Sequence, residues 1–229
     1  LVLTLVTDVL KFAVLSELLD GLWTVFPIAI VVMFHPELRR AFAQIGSSNP
    51  FSRKQRREET ISEVVTAVSN MSSSRTGALI VFQRQIGMRA VISSGIRLDS
   101  RVNHKLLETI FTKNTALHDG GVTIENDKII AAHCIYPLSQ NYEIAPSLGT
   151  RHRAALGISE ETDAVAVVVS EEKGAISIAC RGSIIQNISA EKLSRFLKAL
   201  LAPEQQSAIN DIFRRIDEET QTQNAGSNV

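Results

Sequence analysis

The sequence predicts an α/β domain of the α+β type: a mixed, mainly antiparallel central sheet flanked by helices and preceded by an apolar N-terminal helical region. Three observations carry that expectation. Short apolar runs bounded by turn residues come in hairpin pairs, stretches with apolar residues at helical spacing lie among them, and strands and helices do not alternate regularly as a parallel sheet would require. With 229 residues, 45% hydrophobic and 21% charged, the chain suffices for one well-buried domain plus accessories.

The first 45 residues are read as part of a membrane anchor. Residues 1–6 are apolar except for Thr4, and residues 22–34 carry no charge. The second run alone is shorter than the roughly 20 residues a spanning helix needs. Extending it toward the N-terminus takes in Asp20 and Glu17, which are costly in a bilayer. Hydropathy alone therefore leaves a membrane segment and an interfacial or buried helix equally open. The segment is not a signal peptide, because no basic region precedes it and no small-residue cleavage site follows. Arg39, Arg40 and the basic residues within 53–57 crowd its C-terminal side, which predicts that this side is cytoplasmic. Gly46-Ser47-Ser48-Asn49-Pro50 punctuates the chain, so 46–58 is read as a basic linker.

From 59 to 216 the pattern is that of a globular domain. Ile61, Val64, Val65 and Val68 recur at helical spacing, and residues 78–82 form a short apolar run typical of a buried strand. Residues 103–111 read as a helix with Leu106, Leu107 and Ile110 on its apolar face and Asn103 as its cap. Residues 121–124 and 128–136 are strand candidates joined across Glu125-Asn126-Asp127, a hairpin signal. Thr150 is placed as the cap of a short helix running to Gly157. A second strand pair, 164–169 and 175–179, flanks Glu171-Glu172-Lys173-Gly174. Amphipathic helices follow at 190–201 and 205–216, and the polar stretch 217–229 is read as a disordered tail.

A formal net charge of zero gives no global basic field, which argues against a nucleic-acid partner. Cys134 and Cys180 are too few for a disulfide framework and are read as buried, reduced thiols in strands. Neither a GxxxxGK[ST] loop nor a GxGxxG turn occurs. Two segments nevertheless look chemical. Leu117-His118-Asp119-Gly120-Gly121 puts a carboxylate on a tight loop before a strand, where a ligand can approach the backbone. Taken alone, an ordinary Asp-Gly turn is the better reading. Gly149-Thr150-Arg151-His152-Arg153 sets two guanidiniums and an imidazole at a helix start, where orphan amides also favour anions. Ser170-Glu171-Glu172 ends an apolar strand, and its carboxylates either hold a hard cation or decorate a hairpin turn. His133, in mid-strand, is read as packed or exposed and not as a ligand. Residue chemistry reaches a polyphosphate site with a metal and no further.

Gly77-Ala78-Leu79-Ile80-Val81, Asn114 with Leu117-His118-Asp119-Gly120, Pro137-Leu138-Ser139, Leu148-Gly149-Thr150-Arg151-His152-Arg153-Ala154-Ala155, Gly157-Ile158-Ser159-Glu160 and Ser170-Glu171-Glu172 occur in that order. As an ordered set over 77–185 they resemble the diadenylate cyclase family. The apolar region followed by Pro36-Glu37-Leu38-Arg39-Arg40 resembles its membrane-anchored, CdaA-type branch. Members of that branch carry three transmembrane helices, and this chain is expected to begin within the second. Two positions depart from the family pattern. Gly121 stands where the family usually has alanine, which should leave room for substrate but loosen the loop; Ile135 precedes Tyr136 where the branch often has an aromatic followed by leucine, which bears on how adenine stacks.

The resemblance implies an enzyme that condenses two ATP into cyclic di-AMP and two pyrophosphates. Each protomer of a homodimer would present one ATP, and the 3′-hydroxyl of one would attack the α-phosphorus of the other. In that scheme Asp119 is the general base or orients the hydroxyl. Arg151, His152 and Arg153 hold phosphates, helped by Thr150, Ser170 and Glu171, while Gly120, Gly121 and Tyr136 lie against the nucleotide. His118 and Glu172 are the implied ligands of Mn²⁺ or Mg²⁺, with Co²⁺ a further candidate. The resemblance further implies a bacterial cell-membrane protein with a cytoplasmic catalytic domain, partnered by a YbbR-type regulator and a phosphoglucosamine mutase. The alternative is a non-catalytic sensor of ATP or cyclic di-AMP at the membrane. Asp119 argues against it, because phosphate binding needs the arginines but not that carboxylate. A scaffold that merely docks partners would leave the Arg-His-Arg cluster idle.

Overall fold

The computed structural model describes residues 50–140 and 148–202, with single positions between Trp23 and Phe34. The chain divides into two compact units, Leu1–Arg53 and Lys54–Val229. In the first, Trp23, Phe26, Pro27, Ile28, Ile30, Val32, Met33 and Phe34 are helical, and their side chains are exposed. Among the described residues no helix is long and apolar enough to cross a membrane. The rest of the expected anchor, the helix expected at 205–216 and the tail at 217–229 lie outside the described residues.

The elements run α1 (Pro50–Ser73), β1 (Ala78–Gln83), α2 (Arg89–Ser94), β2 (Ile96–Arg101), α3 (His104–Phe111), β3 (Gly121–Glu125), β4 (Lys128–Cys134), α4 (Thr150–Glu161), β5 (Val165–Val169), β6 (Ile176–Cys180), β7 (Ser183–Ile188) and α5 (Ala190–Leu200). The strands form one seven-stranded sheet in the order β2-β4-β3-β1-β5-β6-β7. β1 pairs parallel with β3, and every other neighbouring pair is antiparallel. The expected mixed, mainly antiparallel sheet with flanking helices is therefore observed. The basic stretch read as linker differs: its residues from Pro50 onward belong to α1, which opens on a proline whose missing N–H costs nothing at a helix start.

Alternation along the strands divides the core into two layers. From β1, Ala78, Ile80 and Phe82 face one way, together with Val165, Val167 and Val169 of β5. This face is covered by α1 through Ile61, Val64, Val68 and Met71, by α3 through Leu107, Ile110 and Phe111, and by α5 through Leu193, Phe196, Leu197 and Leu200. Leu79, Val81, Ala166 and Val168 face the other way, against Ala154, Ala155 and Ile158 of α4. The caps follow local chemistry. Asn103 accepts from Lys105 N–H at 2.9 Å, as its side chain predicts, and Ser189 opens α5 by accepting from Lys192 N–H at 3.3 Å. Thr150 is not the cap of α4; Gly149 is, with no side-chain cap bond, and the helix continues past Gly157 to Glu161.

Candidate active site

Register brings the chemical loops to one end of the sheet. Gly121 at the start of β3 pairs with Cys134 at the end of β4, which sets Asp119-Gly120 beside residues 134–136. Ala78 at the start of β1 pairs with Val169 at the end of β5, which sets Gly77 beside Ser170-Glu171. The N-terminus of α4 completes the enclosure. The result is a cavity of about 470 Å³ lined by Asp119, Gly120, Tyr136, Thr150, Arg151 and Glu171, together with Leu79, His133, Cys134, Ile135, Leu138 and Ala154.

The floor is packed closely enough to require glycine. A Cβ on Gly120, which has φ +79°, would stand 2.5 Å from the Cys134 carbonyl oxygen. Gly121 is buried in β3 and is not part of a loop; a Cβ there would stand 2.8 Å from the Leu79 carbonyl oxygen and 2.8 Å from Tyr136 Cε2. Gly121 thus seats the Tyr136 ring instead of loosening the turn. The ring is anchored through its hydroxyl, 2.8 Å from Thr123 Oγ1, and burial raises the phenol well above its ordinary pKa. Tyr136 is therefore a neutral, fixed apolar wall.

Asp119 is exposed at the cavity, and its Oδ1 accepts from the Gly120 N–H at 3.0 Å. Its main-chain oxygen is 2.9 Å from His133 Nδ1; a carbonyl can only accept, so Nδ1 is the donor. His133 adopts φ +57°, a bulge conformation that turns it out of the strand and onto the cavity wall. This residue, read from sequence as packed or exposed, is one that the topology adds to the site.

Opposite lies a basic wall. Arg151 donates from Nη1 to Glu171 Oε2 at 2.8 Å and weakly from Nη2 to the His118 carbonyl at 3.5 Å. Its Nε is buried without a hydrogen-bond partner, as is that of Arg153. A Cβ on Gly77 would stand 2.6 Å from Arg151 Nη1, so that glycine makes room for the guanidinium. The uncapped first turn of α4 adds orphan amides and the positive end of the helix dipole.

The other expected residues are not gathered in this cavity. His152 lies with its Nε2 3.2 Å from Ser177 Oγ of β6, and burial lowers its pKa, favouring the neutral ring. Arg153 approaches the Ser139 carbonyl at 3.5 Å. Ser170 and Glu172 line a smaller adjoining cavity of about 120 Å³, together with Thr150, Arg151, His152 and Glu171. His118 lines neither; its Nδ1 donates to the Thr115 carbonyl at 2.6 Å, which leaves the Nε2 lone pair for a cation. No group of three or more His, Cys, Asp or Glu side chains among the described residues could hold a metal by itself.

A glycine-floored cavity with a carboxylate at its mouth, a fixed aromatic wall, and an arginine beside a helix N-terminus has the chemistry that suits a nucleotide phosphate. The model of the DAC family, described as "DisA bacterial checkpoint controller nucleotide-binding", matches residues 65–184. The chain belongs to this family. It is 42% identical over 195 residues to the cyclic di-AMP synthase CdaA of Bacillus subtilis, covering 83% of this chain and 71% of that protein. It is 41% identical over 175 residues to a diadenylate cyclase of Listeria monocytogenes, covering 74% of this chain and 64% of the relative. Among solved structures, a double mutant of DacA from Staphylococcus aureus superposes with TM-score 0.60 at 46% identity, over 61% of this chain and 93% of the other. A hypothetical membrane-spanning protein from Bacillus cereus gives TM-score 0.56 at 32% identity, over 79% of this chain and 93% of the other.

Proposed function

We propose that this chain is a diadenylate cyclase that joins two ATP molecules into cyclic di-AMP, at a site completed by a second protomer. The observation that carries this reading is the single cavity holding Asp119 and Gly120 on one side and Arg151 with the α4 N-terminus on the other. Asp119 would take up or orient the proton of an attacking 3′-hydroxyl, since its carboxylate is exposed and accepts only a short local bond. Arg151 and the α4 amides would hold phosphate oxygens of the bound ATP, with Glu171 keeping the guanidinium aimed. Tyr136, Ile135 and Leu138 would bound the nucleoside.

One cavity offers one 3′-hydroxyl and one α-phosphorus, and these cannot meet in line within one nucleotide to form a two-base ring. A two-fold dimer presents the second ATP in opposed orientation. A divalent cation, Mn²⁺ or Mg²⁺, would neutralise phosphate charge, with His118 and Glu172 as its protein-side ligands. Membrane attachment through the apolar N-terminal region, with the catalytic domain in the cytoplasm, completes the reading; the exposed apolar side chains from Trp23 to Phe34 support it. The test is product analysis after incubation with ATP and Mn²⁺ over a range of protein concentrations. Cyclic di-AMP whose formation per protomer rises with concentration is expected. ATP binding with no product would instead identify a nucleotide sensor.

A further inference from the structure

The wall that would face the nucleoside, residues 135–138, leaves the sheet after Cys134, and its stability depends on what fastens its far end. Ile135 N–H donates to Ser94 Oγ at 3.0 Å at the near end. At the far end stands Ser139, 1% exposed. Its N–H donates to the Arg153 carbonyl at 3.0 Å, and its hydroxyl donates to Glu160 Oε1 at 2.6 Å. The second distance is that of a charge-assisted hydrogen bond. Gly157 lies between these two attachments on α4; a Cβ there would stand 2.7 Å from Ser139 N and closer still to the Pro137 carbonyl oxygen. Leu138, carried between Pro137 and Ser139, lines the cavity, as do Thr150, Arg151 and Ala154 of the same α4.

We infer that Ser139 and Glu160 form a clasp that sets the gap between the nucleoside wall and the phosphate wall, and that both are positioning residues for ATP. Neither touches the cavity. Because both walls are referenced to α4, a change at Glu160, far along the helix, alters the width of a pocket it does not line. The clasp acts on binding and not on the chemical step, since Asp119 is carried by a different loop, held to His133.

This inference rests on the ATP-site reading, and the experiment separates the two. Calorimetric titration of the full chain with a non-hydrolysable ATP analogue is run for wild type, Ser139→Ala, Glu160→Ala, Glu160→Gln and the Ser139→Ala/Glu160→Ala double variant. Loss of one charge-assisted hydrogen bond predicts about a tenfold loss of affinity in each alanine variant. The double variant is expected to lose no more than either single one, because both break the same bond. Glu160→Gln keeps an acceptor and is expected to retain most of the affinity. In turnover, KM for ATP rises in the alanine variants while kcat stays near wild type. Wild-type affinity in both alanine variants, or a fall in kcat with KM unmoved, overturns the clasp while leaving the ATP site standing. Failure of the wild type to bind the analogue overturns both.

Discussion

Replacing Gly157 by alanine should destabilise the protein even though the position is in a helix, where alanine ordinarily gains about 1 kcal/mol over glycine. The reason is the backbone of residues 137–139. The added methyl would meet the Pro137 carbonyl oxygen, Ser139 N at 2.7 Å and Pro137 C at 2.9 Å, none of which is the movable end of a side chain. Ser139 N is itself committed to the Arg153 carbonyl at 3.0 Å, so the segment cannot withdraw without losing that bond. Overpacking of this kind costs about 1–3 kcal/mol, and one stretched hydrogen bond about 1 more. Set against the helix gain, a net loss of about 1–3 kcal/mol is expected. Thermal unfolding should register this as a fall in Tm of roughly 2–12 °C for a domain of this size. ATP affinity should fall in parallel, because the displaced segment carries Leu138 on the cavity wall. A Gly157→Ala protein more stable than wild type would refute the reasoning, since helix propensity would then outweigh the contact.

Asp119→Asn keeps the size of the side chain but removes its charge and basicity, so cyclic di-AMP formation should nearly vanish while calorimetric ATP binding persists. Arg151→Ala removes the guanidinium between Glu171 and the cavity; ATP affinity should fall by about tenfold or more in the same titration, the scale of one charge-assisted bond. His152 is half-buried and desolvation lowers its pKa from 6.5, so the unfolded chain takes up its proton first as pH falls. Its contribution to stability is therefore complete above pH 6.5 and is lost as pH falls from there through the lower folded value. Urea unfolding of His152→Gln should show a shallower loss of stability over that window than wild type.

Much of the fold was legible because its inner strands announce themselves. The run 78–82 and the pair 164–169 with 175–179 are almost wholly apolar, and β1, β5 and β6 are buried on both faces between helices. α2, β2 and β7 were not legible. α2 buries no residue, and β2 and β7 are edge strands with mostly exposed or half-exposed side chains, so no apolar period marks them. β2 is broken further at Asp99, whose φ of +49° shifts the register. Asp119, Gly120, Thr150, Arg151 and Glu171, which line the cavity, stood out as local combinations of charge and glycine but took their expected roles only from the family resemblance. His133, Cys134 and Leu79 carry no such mark. They line the cavity only because Gly121 pairs with Cys134 and because β1 lies beside β3, which are facts of pairing and not of local sequence.

The Arg151-His152-Arg153 cluster shows how helix geometry divides a motif that reads as one. Consecutive helical residues are rotated by about 100°, so three in a row cannot all face the same ligand. Arg151 lines the main cavity, His152 turns to Ser177 on β6, and Arg153 turns to the segment ending at Ser139. Each contact fastens α4 to a different neighbour: Glu171 on the β5–β6 turn, β6 itself, and the nucleoside wall. The dense charge is thus divided: Arg151 lines the main cavity, His152 shares the adjoining one with it, and all three residues hold α4 to its neighbours. If ATP binds as proposed, a phosphate at the α4 N-terminus would meet donors already held in place, the condition under which electrostatic stabilisation of a developing charge is largest. On that reading, His152→Ala and Arg153→Ala should loosen α4 and lower Tm, whereas Arg151→Ala should weaken ATP binding in calorimetric titration.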